Sequence, residues 1–268
     1  MNCLVRGKRF SCAEKTGFLA LGTALLLGAI EPFYSIVPLG FFLIACLCAP
    51  FLPRVAFFLP VISRGPAGNP GVALTFDDGP CPASTPLLLK LLDQYHLPAT
   101  FFVIGKKAET YPELIQAILD HGHSIGNHSY HHDNLLMLRS CATLEHDIVT
   151  AQQALAKLGV YPRFFRPPVG ITNSRLKLVL EHLDLQAITF SCRIFDRGNK
   201  NINHLAARVR RRLKPGDILL LHDNPPATRV QAESWQCELE TLFADLQQIY
   251  QVIPLNELLD QPIMHRLS

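Results

Sequence analysis

The sequence predicts an α/β protein, a slightly short (β/α) barrel with about seven parallel strands preceded by an N-terminal membrane-embedded helical segment. Three observations lead there. From residue 71 onward, apolar strand-like runs alternate with helical patterns. The polar side chains able to do chemistry fall just past the ends of those runs. Much of the apolar excess lies before residue 65.

The chain has 268 residues, a formal charge of +3 and 49% hydrophobic residues. That length allows one large domain or two small ones. The small charge, with no clustered basic-aromatic pattern, gives nucleic acid no footprint.

Residues 17–30 form an uncharged apolar run, preceded by Arg6, Lys8, Arg9 and Lys15. Glu31-Pro32 interrupts it, a second run covers 33–52, and a shorter one, 55–62, lies between Arg54 and Arg64. The second run is long enough to cross a bilayer, and the first becomes so with its flanks. No small-x-small cleavage site follows the first run, which favours an anchor over a secretory leader. We therefore expect a membrane anchor of two hydrophobic helices at 1–63, a Gly/Pro-rich linker at 64–70 and a catalytic domain at 71–268.

The basic N-terminal flank places that end in the cytosol. Two passes turning near Glu31 return the chain to the cytosol, whereas one broken pass exports the domain. The two-pass, cytosol-facing arrangement in a bacterial inner membrane is the favoured expectation. Pro38, Pro50 and Pro53 are expected to disturb a straight second helix. The eight cysteines show no CxxC or regular framework, so they read as isolated thiols of a reducing compartment. Cys81 follows the Asp-Asp-Gly-Pro turn but lacks an activating partner in sequence.

Strands are expected at 72–76, 99–104, 124–126, 164–166, 187–191, 218–221 and 252–254, and helices at 85–95, 111–121, 142–158, 174–182, 203–213 and 238–250. Strict alternation implies a parallel sheet with crossover helices, and this many strands in this length suits a slightly short barrel better than an open doubly wound sheet.

Val72-Ala73-Leu74-Thr75-Phe76 reads as a buried strand, and Asp77-Asp78-Gly79-Pro80 closes it. Two adjacent carboxylates repel, so a buried pair needs a cation, a shared proton or a strong donor. The plainer alternative is a turn cap, since Asp-Gly is ordinary turn chemistry. In Gly126-Asn127-His128-Ser129-Tyr130-His131-His132, His128 and His132 are four apart, and a helical turn would put both imidazoles on one face. With one carboxylate they make a two-His, one-Asp set that leaves coordination positions open. A solvated surface turn is the rival reading for the histidines alone, and the Asp-Asp strand end tips the balance to metal. His121, His123 and His131 are read as non-ligands.

Thr75-Phe76-Asp77-Asp78-Gly79-Pro80, His128-Ser129-Tyr130-His131-His132, Arg166-Pro167-Pro168-Val169-Gly170 and Leu219-Leu220-Leu221-His222-Asp223 resemble the successive motifs of the polysaccharide deacetylase family. That family includes chitooligosaccharide, chitin and peptidoglycan deacetylases and some deacylases of lipid-linked sugars. The resemblance runs from about Gly71 to the C-terminus and excludes the membrane segment. It implies a distorted (β/α) barrel and metal-assisted hydrolysis of an acetamide or similar acyl group, with a divalent ion, Zn2+ or a similar ion such as Co2+. It implies Asp77 as general base and Asp78, His128 and His132 as metal ligands. Arg166 resembles the arginine that orients the base, His222 the general acid and Asp196 the aspartate that tunes it. The Val169 backbone N–H would help hold the oxyanion. The implied substrate is an acetylated amino-sugar glycan or a lipid-linked sugar, met at a membrane lipid surface.

Two positions depart from the family pattern. Where Asp-x-x-Asp-Trp is frequent, this chain has Arg193, Asp196 and Arg197, which removes a hydrophobic wall. Val169 stands where tyrosine is common, a change that a backbone role tolerates. The basic run Arg208-Val209-Arg210-Arg211-Arg212 reads first as a solvated helix face, with contact to anionic lipid headgroups the weaker option. The rival from another class is a catalytically inactive sugar-binding or scaffold protein on the same fold.

Overall fold

The computed structural model describes residues 10–196, 198–226 and 228–267. Cys3, Arg6, Lys8, Arg9 and Arg197 lie outside the described residues.

Two apolar helices open the structure, α1 (Cys12–Ile30) and α2 (Ile36–Cys48), joined by a 3₁₀ turn at Pro32–Ser35. Ser11 and Glu14 form a reciprocal capping box at the start of α1. Gly17 lies against the Phe42 ring and Gly28 against Ser35, so the helices run antiparallel as a hairpin. Pro38 does not break α2, because it falls in the first turn, where an amide hydrogen is not needed. Spans Cys12–Ile30 and Pro32–Phe51 are each long and apolar enough to cross a membrane, and only 11% and 6% of them is buried. A core helix of a water-soluble domain would be mostly covered.

The sheet-bearing part starts earlier than hydropathy suggests. Strand β1 (Val61–Ile62), inside the third apolar run, joins the sheet's edge. Leu59 enters a core cluster, and Thr189 Oγ1 donates to the Pro53 carbonyl at 2.6 Å. The anchor boundary expected at residue 63 therefore does not coincide with a packing boundary, since hydropathy does not distinguish lipid contact from sheet contact.

The chain then runs β2 (Ala73–Asp77), α3 (Thr85–Gln94), β3 (Ala99–Val103), α4 (Gly105–Thr110), α5 (Pro112–Asp120) and β4 (Ser124–Asn127). Next come α6 (Cys141–Ala156), β5 (Val160–Pro162), β6 (Phe164–Phe165), α7 (Ser174–His182), β7 (Gln186–Ile188) and β8 (Cys192–Arg193). It ends with α8 (Leu205–Arg210), β9 (Ile218–His222), α9 (Arg229–Ile249), α10 (Leu255–Leu259) and β10 (Met264–Arg266). Ser140, Asn173 and Thr228 cap α6, α7 and α9 through side-chain oxygens.

Eight strands form one parallel sheet in the order β1-β7-β6-β4-β3-β2-β9-β8. Only three residues separate β7 from β8, yet β7 pairs with β6 near one end of the order and β8 with β9 at the other. The sheet therefore curls back on itself, a half-closed and distorted barrel.

Alternation along the strands sorts the core. Leu74, Phe76, Phe101 and Val103 face outward to α3 and α9, against Leu88, Leu92, Leu239 and Phe243. Ala73, Phe102, Phe164, Ile188, Ile218 and Leu220 fill the inside of the curl. Each such buried large side chain contributes roughly 1.5–3 kcal/mol. Gly126 is small of necessity, because a Cβ there would sit 2.3 Å from the Phe102 ring.

Some elements differ from expectation. Residues 252–254 make no strand but a single bridge, Val72 to Val252, as the following proline cannot donate to a ladder. Helix α9 begins nine residues before the expected 238, at Arg229, because its first turns lack a clear apolar period. The antiparallel pair β5–β10 and the short β8 were not foreseen.

Candidate active site

Register brings the reactive strand ends level. Asp77 at the end of β2 pairs across to His222 at the end of β9 and to Phe102 of β3. Asn127 at the end of β4 pairs to Phe165, so His128 and Arg166 leave their strands side by side.

Asp77 and Asp78, though adjacent, meet different surroundings. Asp77 keeps its strand conformation and is buried. Its Oδ1 accepts from Arg166 Nη1 at 2.7 Å, while Oδ2 lies 3.7 Å from His128 Nε2, beyond hydrogen-bonding reach. Asp78 turns to φ 75° and sends its carboxylate to the histidines. Its Oδ1 is 3.1 Å from His132 Nε2 and 3.5 Å from His128 Nε2. Burial alone would raise the Asp78 pKa, but hydrogen bonding to His128 and His132 outweighs it and holds the carboxyl well below its usual range. His132 shifts the opposite way: burial lowers it, and Asp78 more than restores it, so its pKa lies above the ordinary value.

His128 and His132 do converge, with ring centroids 4.9 Å apart, though not through the helical turn that their spacing suggests. The segment is a loop whose Ser129 and His132 have φ of 67° and 56°. Asn127 Oδ1 accepts from Ser129 N, and Ser129 Oγ accepts from His132 N, which fixes that path. His131 points away to Asp147, 2.6 Å from its Nδ1. His123 is buried beside Phe101, and burial lowers its pKa to about 4.

The donor set fits a divalent cation. The ligand atoms of Asp78, His128 and His132 lie within 4.8 Å of one another. His128 Nδ1 donates to the Arg166 carbonyl at 2.7 Å, which turns Nε2 toward Asp78 as the nitrogen that a cation would meet. One carboxylate and two imidazoles suit zinc-like ions and leave coordination positions open.

Arg166 is wholly buried. Besides Asp77 it donates to Thr75 Oγ1 at 2.8 Å and the Thr189 carbonyl at 2.9 Å, and its guanidinium lies 3.9 Å above the Phe102 ring. Burial pulls its pKa down, against the opposing charge of Asp77. On the far side of Asp77, His222 Nδ1 donates to the buried Asp196 Oδ2 at 2.8 Å. Burial would lower the His222 pKa, but the Asp196 hydrogen bond and the charges of Asp196, Asp78 and Asp77 raise it above the usual value. Val169 occupies the left-handed region at φ 54°, strained for a β-branched residue.

Several supporting contacts escaped the sequence reading. Asn224 Nδ2 donates to Asp78 Oδ2 at 2.8 Å, and Lys107 Nζ to the Asp78 carbonyl at 2.7 Å. Asp223 accepts from the hydroxyls of Ser84 and Thr85, both at 2.6 Å, while burial raises its pKa to about 6. Asn224 follows the His222-Asp223 pair directly, and that adjacency was the available signal; Lys107 offers none.

The chain matches the family model for polysaccharide deacetylase over residues 64–188. It is 35% identical over 163 residues to a peptidoglycan-N-acetylglucosamine deacetylase of Bacillus cereus, covering 60% of this chain and 58% of that protein, so it spans little more than half of that relative. It is 35% identical over 162 residues to a chitooligosaccharide deacetylase of Bradyrhizobium sp., covering 60% of this chain and 74% of that one. A crystal structure of a peptidoglycan N-acetylglucosamine deacetylase superposes with a TM-score of 0.68 at 29% identity, covering 76% of this chain and 94% of that one.

Proposed function

Since the chain belongs to the polysaccharide deacetylase family, we propose that it is a membrane-anchored, metal-dependent deacetylase that removes N-acetyl or another acyl group from an amino-sugar-containing glycan or a lipid-linked sugar. The observation that carries this reading is the division of labour at the end of β2. Asp78 faces two imidazoles, while Asp77, one residue away, is gripped by a buried arginine.

Asp78, His128 and His132 would hold the ion, with Zn2+ the best match to the donors. Such a cation polarises an acyl oxygen and acidifies water. Asp77 Oδ1 is occupied by Arg166, so Oδ2 is the oxygen that takes the proton of the attacking water. His222 Nδ1 is engaged by Asp196, so Nε2 is the atom that delivers a proton to the departing amine. Against the effect of burial, the Asp196 hydrogen bond raises the pKa of His222 and so favours the protonated form that the task needs. The Val169 N–H is our candidate donor to the oxyanion.

Anchoring is supported by the exposed apolar hairpin. Its antiparallel turn favours two passes with the domain on the cytosolic side. Acetate release from acetylated amino-sugar oligomers, together with the divalent metal content of the purified chain, tests the reading. Metal binding without release from a broad substrate panel would favour the catalytically inactive sugar-binding protein.

A further inference from the structure

The basic run 208–212 separates into distinct environments. Arg208 donates to the carbonyls of Ile194 and Asn201, and Arg210 pairs with Asp245 at 3.1 Å. Arg211 and Arg212 line a cavity of about 750 Å³ where the apolar hairpin meets the domain, Arg212 also donating to the Arg193 carbonyl at 3.0 Å. Arg54, Arg64, Arg193 and Lys214 share that lining, making six cationic side chains. Against them, among the described residues, stands one lining acid, Asp217, which Arg64 pairs at 3.4 Å. Nε of Arg193 is buried without a hydrogen-bond partner among the described residues. The guanidinium of Arg193 lies 5.0 Å from the Phe195 ring.

The same cavity has an apolar wall. Phe51, which ends the second membrane-length span, and the following Leu52 line it together with Val55 and Phe195. Concentrated like charge is costly to hold together without an anion, and arginine forks match phosphate oxygens in geometry. A phosphate dissolved in water gains nothing from Phe51, Leu52 or Phe195. An amphiphile uses both surfaces.

We infer that this cavity binds the phosphate group of a membrane lipid, with the first carbons of its chain against Phe51 and Leu52. This rests on the membrane reading of the two apolar helices. Phe195 is next to Asp196, the partner of His222, so the cavity adjoins the proposed catalytic rim. The ligand class is thus a phosphate- or diphosphate-bearing lipid, including one that carries the sugar to be deacylated.

The test uses the full-length chain in a non-ionic detergent, titrated with dioctanoyl phosphatidylglycerol, with bound lipid counted by native mass spectrometry. The parent should retain one lipid. The double variant Arg211→Glu/Lys214→Glu, which breaks no side-chain hydrogen bond described here, should bind at least tenfold more weakly. Arg193→Gln should weaken binding in the same direction and guards against misfolding of the double variant. Arg266→Gln, on the distant β10, should leave binding unchanged. Equal retention by parent and both cavity variants overturns the inference. So does displacement by equimolar inorganic phosphate, which marks a free-anion site, or equal retention of dioctanoylglycerol, which lacks phosphate. Membrane fractionation of the parent is read separately. A soluble parent overturns the anchor, whereas a membrane-bound parent that retains no lipid overturns only the cavity.

Discussion

Arg166 and Asp77 form an ion pair at 2.7 Å in which both side chains are shielded from solvent. The same arginine, through its main-chain carbonyl, holds His128 Nδ1. One residue thereby aligns the proposed base and a proposed metal ligand. Truncating it to Arg166→Met should leave Asp77 as an uncompensated buried charge and destabilise the fold by ~3–5 kcal/mol. Adding Asp77→Asn to that variant should recover part of the loss, read from denaturant midpoints in a double-mutant cycle.

Asp77→Asn alone keeps the shape and the Arg166 contact but removes the proton acceptor. Acetate release should fall ~10²- to 10⁴-fold, with metal content unchanged by elemental analysis. Unaltered release would remove Asp77 from the role of base.

Asn224 steadies the second oxygen of Asp78 from behind. Asn224→Ala should weaken divalent metal affinity ~10- to 100-fold, measured by competition with a chelator, while the folded state persists by circular dichroism. Metal affinity equal to the parent would make that contact incidental.

The pH profile should report His222. A general acid must be protonated, so activity falls as pH rises through its pKa. Burial lowers that pKa, but Asp196, with Asp78 and Asp77, raises it overall, so the alkaline limb of kcat/KM should lie above the ordinary imidazole value. Asp196→Asn removes the largest raising influence and should move that limb to lower pH. A limb that stays put would separate the pair from acid catalysis.

Gly79 lies against Asp223, and a Cβ there would come 2.2 Å from Asp223 Oδ2. Two hydroxyl hydrogen bonds hold that carboxylate in place, so it cannot retreat. Gly79→Ala should therefore cost ~1–3 kcal/mol of stability, visible as a lowered thermal midpoint. A midpoint equal to the parent would show that the strand end has room to shift.

Much of this was legible in the chain itself, because continuous apolar runs, helical stripes and polar residues at run ends are local patterns. The parallel βα fold and the two membrane-length spans follow from them, and the family from the resemblance of four motifs taken in order. Local pattern could not say that β1 belongs to the sheet, since an apolar stretch looks the same beside lipid or beside β7. Nor could it separate two neighbouring aspartates. That distinction came from a backbone turn to positive φ at Asp78, from a buried guanidinium 89 positions along the chain from Asp77, and from a loop that does the work expected of a helical turn. Contacts between residues far apart in sequence leave no local trace, so only the folded chain could decide them.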